Sequence, residues 1–150
     1  MAVRIQSNDF DAGAEIALLR RNNPAIGAVA CFIGLVRDVN AGDRVSELTL
    51  EHYPGMTQRA LEKIEEEAKS RWDIIEAQII HRVGELHPTD QIVLVVVAAA
   101  HREEAFAACE FMMDYLKTQA PFWKKERTPQ GSRWVEARSS DDVAAQRWTR

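Results

Sequence analysis

The chain has 150 residues, 46% of them hydrophobic, and a formal net charge of -4 at pH 7. This length and apolar content suffice for one core without metals or disulfides, so we expect residues 1–150 to form one domain. The acidic balance argues against a general nucleic-acid binder, whose surface is normally strongly basic. The longest apolar run, Ile92 to Ala100, is far shorter than the ~20 residues of a membrane helix, and the first residues lack the apolar segment of a secretion signal. We expect a cytoplasmic protein that does not bind nucleic acid or membranes.

The two cysteines, Cys31 and Cys109, lie far apart in apolar stretches and form no C-x-x-C pair. This pattern favours neither a disulfide framework nor a zinc site. The four histidines do not show metal-ligand spacing either. We therefore expect two buried cysteines, no metal and no cofactor.

The chain begins with a predicted helix over residues 10–21. Ser7-Asn8-Asp9 supplies capping side chains before it, and Asn22-Asn23-Pro24 ends it because proline disfavours helical geometry in the residue before it.

Two predicted strands follow. The segment Ile26 to Arg37 is rich in Val, Ile, Phe and Ala, which predicts a strand buried on both sides. In the segment Val45 to His52 the side chains alternate between two faces, which predicts a second strand. Asn40-Ala41-Gly42-Asp43 is a plausible turn between them. We expect the two strands to pair as a hairpin.

The central region predicts two helices around two strands. Apolar residues recur at helical spacing from Met56 to about Trp72 and again from Arg102 to Thr118. Between these helices, Ile74 to Arg82 and Gln91 to Ala100 have the composition of strands.

The last predicted elements form a β-hairpin. Pro121 ends the second long helix, Phe122 to Arg127 predicts a strand, and a turn at Pro129-Gln130-Gly131 leads into Ser132 to Arg138. Helices and hairpins are mixed along the chain, which predicts an α+β fold with a mixed or antiparallel sheet, two main helices and a C-terminal β-hairpin subdomain.

Positive charge is concentrated near the C-terminus. Between Tyr115 and Arg138 six basic residues stand against two acidic ones, which suits an anionic small molecule as well as an ordinary solvated surface. His101 and Arg102 stand at the start of the second long helix, where free N–H groups and the helix dipole favour an anion. Arg37 stands at a strand end. No nucleophile elbow, phosphate loop or dinucleotide fingerprint is present, so the residue types alone predict only an anion-binding domain.

Several ordered strings together resemble the molybdopterin synthase large-subunit family. They extend over residues 26–138, and Thr89 and Leu35 depart from the family pattern, the former at a turn where glycine is frequent. The strings are FIGLVRDVNAG (Phe32 to Gly42), LTLEHYPGM (Leu48 to Met56), HRVGEL (His81 to Leu86), AHREEAF (Ala100 to Phe106), MDYLKTQAPFWKKE (Met113 to Glu126) and RWVEAR (Arg133 to Arg138).

The resemblance implies an α/β-hammerhead-like fold and a sulfurtransferase. Such an enzyme converts cyclic pyranopterin monophosphate into molybdopterin by installing two dithiolene sulfurs and opening the cyclic phosphate. Each sulfur arrives as a thiocarboxylate on the C-terminal Gly-Gly of a small ubiquitin-like subunit. The implied assembly is a heterotetramer, with a central homodimer of large subunits and a small subunit on each outer side.

The resemblance also selects the site residues. It implies Lys117 at the reacting centre, where it stabilises the thiocarboxylate adduct or donates a proton, and Lys124 on the pterin side; a lysine amine attacking the carrier's acyl carbon is a further option. The other implied substrate-binding residues are Leu35, Val36, Arg37, His101, Arg102, Lys125, Glu126 and Arg138, with Arg37, His101 and Arg102 on the phosphate.

Helix geometry adds one hypothesis. Arg102 and Lys117 are 15 residues apart on one predicted helix, so their backbones lie about 22 Å apart. One small pterin would hardly bridge them. We expect His101 and Arg102 to reach the site of a neighbouring subunit, which makes each site composite across a dimer.

Three alternatives remain at this point. The chain is a docking module that binds a ubiquitin-like tail without turnover, a phosphate-ester enzyme with His101 as general base, or a structural domain without a site.

Overall fold

The computed structural model describes residues 2–135 and 139–149, and it confirms the α+β class. None of the helices in these ranges is long and apolar enough to cross a lipid bilayer. The elements are β1 (Ala2–Gln6), α1 (Ala12–Arg20), β2 (Ala28–Leu35), β3 (Val39–Asn40), β4 (Asp43–Arg44), β5 (Glu47–His52), α2 (Met56–Arg71), β6 (Ile74–Arg82), β7 (Gly84–Leu86), β8 (Gln91–Ala99), α3 (Arg102–Gln119), β9 (Phe122–Thr128), β10 (Gly131–Val135) and α4 (Ser139–Gln146).

The larger sheet has the strand order β1-β6-β8-β2 and is the centre of the main core. β1 runs parallel to β6, and the other pairs are antiparallel. Side chains alternate along β8, so Val95 and Val97 pack with α2 and α3 while Leu94 and Val96 pack with α1 on the opposite face. Burial of β8 on both faces explains its unbroken apolar sequence.

The smaller sheet has the order β10-β9-β5-β7 and a core of its own, built from Val36, Leu48, Leu50 and Leu86. It contains the predicted C-terminal hairpin of β9 and β10. The last three residues of the predicted final strand, 136–138, lie outside the described residues.

The predicted hairpin between the segments 26–37 and 45–52 is wrong. β2 pairs with β8 in the larger sheet, whereas β5 pairs with β7 and β9 in the smaller one. The turn was predicted correctly, because Ala41 and Gly42 have φ of 53° and 82°. It closes the short hairpin of β3 and β4, where the Val45 N–H donates to the Asp38 carbonyl at 2.7 Å. This small hairpin carries the chain from one sheet to the other.

β2 is an edge strand, so the expectation that it is buried on both sides is also wrong. Phe32 and Ile33 are 41% and 37% exposed, and Cys31, expected to be buried, is exposed as well. Cys109 is buried as predicted. An apolar strand with an exposed edge is the kind of surface that pairs with another chain.

Neither β1 nor the packing of the C-terminal segment was predicted from the sequence. β1 adds to the edge of β6, and the segment after α4 packs on α3. There the Trp148 ring lies edge-on to Trp72, with centroids 5.4 Å apart, and Arg147 pairs with Glu110 and Asp114. Both ends of the described chain are thereby fixed to the main core.

Thr89 adopts φ of 76°, a left-handed conformation that is costly for a β-branched residue. Thr89, where relatives often have glycine, therefore affects the backbone conformation of this turn. The Asp90 carboxylate closes the turn by accepting a hydrogen bond from the His87 N–H at 2.8 Å.

Candidate functional site

Two adjoining cavities of about 400 and 170 Å³ lie where the two sheets meet. They share five lining residues, which include three cationic side chains. The shared residues are Leu35, Arg37, Ile92, Lys117 and Lys124. The structure thus brings together three of the basic residues that the sequence left scattered.

A tight turn between α3 and β9 brings the two lysines together. Lys117 lies in the last turn of α3, which ends at Gln119, and the alternation along β9 turns Lys124 toward the same cavity. The turn is held by Thr57 of α2, a fully buried residue whose hydroxyl donates to the Pro121 carbonyl at 3.1 Å. The same hydroxyl oxygen accepts a hydrogen bond from the Tyr53 N–H, also at 3.1 Å.

The environment of Lys124 disfavours its charged form. Burial, followed by the positive charge of Lys117 and a hydrogen bond with its amine, lowers the pKa of Lys124 from 10.5 to about 8, while Asp141 acts in the opposite direction. About one-tenth of Lys124 is therefore a neutral amine at pH 7. A neutral amine beside a cation can take up a proton or act as a nucleophile, which two fully charged lysines cannot do.

Arg37, Leu35 and Val36 form one rim of the cavities. The Arg37 guanidinium is exposed and makes no ion pair with any residue in the described ranges, so it is available to an anion. Leu35 is 52% exposed. Val36 is buried, and its backbone is already engaged because its N–H donates to the Asp90 carbonyl and its carbonyl accepts from the Thr89 N–H.

Glu126 and Lys125 are neighbours on β9 with different surroundings. Glu126 lines the smaller cavity and is only 3% exposed; it accepts hydrogen bonds from Asn40 at 3.1 Å and from Arg133 at 2.6 Å. These contacts hold the β3–β4 hairpin against β9 and β10. Lys125 points to the opposite face of β9, where its ammonium lies 5.7 Å from the centre of the Trp134 ring. It lines neither of the two cavities.

His101 and Arg102 are exposed at the start of α3 and line neither cavity. Because Lys117 is at the other end of the same helix, the separation of about 22 Å inferred from the sequence holds along α3. Arg138 lies outside the described residues.

Among the lining residues that were not site candidates in the sequence, two have titratable side chains. His81 forms part of the wall of the larger cavity, and Asp141 of α4 lines the smaller one. The signal for His81 was its place in the string HRVGEL, next to alternating strand residues. Asp141 had no signal, because only the packing of the C-terminal segment on α3 brings it to the site.

These features define an α+β protein with a pocket that is lined by an arginine and a lysine pair. The family model described as "MoaE protein" matches residues 5–119. A curated relative from Ralstonia nicotianae, "Molybdopterin synthase catalytic subunit", is 65% identical over 97% of this chain and 83% of its own length.

Two solved structures are also similar to this chain. The molybdopterin biosynthesis MoaE protein from Burkholderia ambifaria superposes with a TM-score of 0.85 at 62% identity, covering 99% of this chain and 98% of that one. Molybdopterin synthase from Staphylococcus aureus gives a TM-score of 0.82 at 31% identity, covering 89% and 96%. The chain belongs to the MoaE family, which confirms the resemblance found in its sequence.

Replacing Lys124 by methionine should stabilise the fold below pH 8. The folded-state pKa is lowered, so the unfolded chain binds the extra proton between about pH 8 and 10.5, and wild-type stability rises through that window. Lys124→Met has no such charge to bury. We expect it to unfold with a free energy ~1–2 kcal/mol higher at pH 7, a gain that disappears by about pH 10.5.

Urea unfolding at both pH values measures this difference. The exposed Lys69→Met on α2 is the matched control and should show no pH-dependent gain. An equal effect of both substitutions would contradict the assigned environment of Lys124.

Proposed function

We propose that this chain transfers sulfur from the C-terminal thiocarboxylate of a small ubiquitin-like subunit to cyclic pyranopterin monophosphate. Two transfers and opening of the cyclic phosphate give the molybdopterin dithiolene. As a member of the MoaE family, the chain is a sulfurtransferase of molybdenum cofactor biosynthesis. The observation that carries the site assignment is the shared wall of the two cavities, where Arg37, Lys117 and Lys124 face one space.

The charges of this wall suit the reaction. Both reactants are anions, so their approach requires preorganised positive charge in a partly dehydrated pocket. Lys117 stabilises the thiocarboxylate adduct or donates a proton at the reacting centre, and Arg37 holds phosphate. Lys124 lies on the pterin side, and its lowered pKa provides some neutral amine near pH 7. Of the two lysines it is therefore better suited to accept a proton or to attack the carrier's acyl carbon.

The cysteines support delivery of sulfur by a partner. Burial raises the pKa of the Cys109 thiol to about 12, which makes it a poor carrier of sulfur, and Cys31 and Cys109 are both free. Neither cysteine lines the cavity that contains the lysine pair. Two unpaired cysteines also agree with a cytoplasmic location, which we include in the proposal.

A dimer of this chain would complete the site. His101 and Arg102 lie too far from Lys117 to serve the same pocket within one chain, and the exposed edge of β2 carries Phe32 and Ile33, which also line the larger cavity. Pairing of two copies near this edge would cover the apolar side chains and bring one chain's helix start toward its partner's cavity. We propose a central homodimer with one small subunit on each outer side and residues 1–150 acting as one domain.

Two observations separate the alternatives. The phosphate-ester hypothesis predicts turnover without a carrier protein, whereas membership of the MoaE family supports a sulfurtransferase. The docking-module hypothesis accounts for the cations but not for a lysine whose surroundings favour the neutral form.

Substitution of Lys117 by alanine should abolish most of the turnover. Purified protein is mixed with thiocarboxylated small subunit and cyclic pyranopterin monophosphate, and the product is read as the fluorescent oxidised pterin. We expect the rate of dithiolene formation to fall at least ~100-fold, because a preorganised charge at the reacting centre is lost. Lys69→Ala should retain the wild-type rate. Tight partner binding without product from the wild type would favour the docking module.

Mixed dimers test the composite site. Chains carrying Lys117→Ala and chains carrying Arg102→Ala are each expected to be inactive, but a mixed dimer has one site with both residues intact. A statistical mixture should recover about a quarter of the wild-type rate, since about half of the dimers are mixed and each has one working site. No recovery would show that both residues act within one chain or that Arg102 has another role.

A further inference from the structure

His81 is held in one orientation in the wall of the larger cavity. The side chain is 3% exposed, and its ring stacks on Phe122 with centroids 3.8 Å apart and planes inclined by 17°. Nδ1 lies 2.8 Å from the Arg82 carbonyl oxygen. A carbonyl oxygen only accepts hydrogen bonds, so Nδ1 carries the proton and Nε2 carries a lone pair.

Nε2 is therefore an acceptor in a wall whose charged side chains are all cations. His81 makes no second hydrogen bond to any residue in the ranges 2–135 and 139–149, and its ring lines the cavity with Arg37, Lys117 and Lys124. Burial, with smaller contributions from the two lysines, lowers the pKa of His81 to about 3, so the ring stays neutral under physiological conditions. Nε2 is thus left to accept a hydrogen bond from a group that enters the cavity.

The shape of the cavity indicates which ligand group makes that donation. The Phe32, Ile92 and Phe122 side chains supply apolar wall, and a volume of about 400 Å³ is in the range of small-molecule pockets. A phosphate dianion offers no N–H donor, whereas a pterin has ring N–H groups and an exocyclic amino group. A flat heterocycle with N–H donors therefore complements both the apolar wall and the acceptor.

We propose that His81 binds the pterin ring of the substrate, with Nε2 accepting a hydrogen bond from a ring N–H or the amino group while Arg37 and the lysines hold the anionic groups. This inference rests on the function proposed above and adds to it a residue that recognises the pterin ring. The Arg82 carbonyl and the Phe122 ring act as positioning groups that fix the acceptor's direction.

Three substitutions of His81 separate recognition from packing. Glutamine places an acceptor near the position of Nε2, asparagine retains a donor near Nδ1 but no acceptor at Nε2, and phenylalanine keeps only the stack on Phe122. Steady-state kinetics should give a KM for cyclic pyranopterin monophosphate that rises about 3- to 10-fold in His81→Asn and His81→Phe. His81→Gln should lie within about twofold of wild type, and kcat should change little in all three.

Three controls make the outcome decisive. The KM for the thiocarboxylated small subunit should stay unchanged; a rise confined to that constant would assign His81 to the carrier's tail and overturn the proposal. Equilibrium binding of the pterin substrate without the carrier should weaken in the same order, while binding of inorganic phosphate should not. If His81→Asn fails to fold, His81→Phe and His81→Gln still give the comparison.

Wild-type affinity for the pterin in both His81→Asn and His81→Phe would refute the role of His81. A wild-type enzyme that forms no dithiolene would instead refute the proposed function.

Discussion

Two lysine amines that line one cavity, with Lys124 largely buried, are the constraint on which the site depends. Lys117 and Lys124 line the same cavity because α3 ends in a short turn that the Thr57 hydroxyl fixes through the Pro121 carbonyl. Like charges in one cavity repel, and burial adds to the cost of the charge on Lys124. The protein tolerates this cost because the elements that carry the lysines are anchored elsewhere, α3 in the main core and β9 in the smaller sheet.

The same constraint explains what the pocket can do. Burial, and after it the charge of Lys117, lowers the pKa of Lys124, and a bound anionic reactant would offset both effects by contributing negative charge. Binding energy and proton affinity are thus coupled at one residue. Arg37 extends the positive wall without a competing ion pair in the described chain, and His81 adds the neutral acceptor that cations cannot provide.

Predictions from the sequence are confirmed for elements whose apolar pattern depends only on which of their faces are buried. α2, α3 and β8 follow from periodicity, because the core buries one face of each helix and both faces of β8. Prediction failed for strand pairing, which depends on a partner strand. The composition of β2 and β5 does not indicate that the two strands belong to different sheets. The meeting of Lys117 and Lys124 came from the family resemblance. His81 was missed because a single strand histidine has no pattern, and its role depends on stacking and on one carbonyl.

The most direct test of the lysine pair is a pH titration of Lys124 itself. NMR of protein labelled with ¹³C at the lysine ε-carbons monitors this titration. The Lys124 resonance is assigned by its loss in Lys124→Met. In the wild type it should titrate with a pKa of about 8, and in Lys117→Met the pKa should rise because the neighbouring charge is gone, while burial still keeps it below 10.5. A wild-type Lys124 that titrates near 10.5, unaffected by the loss of Lys117, would contradict the account.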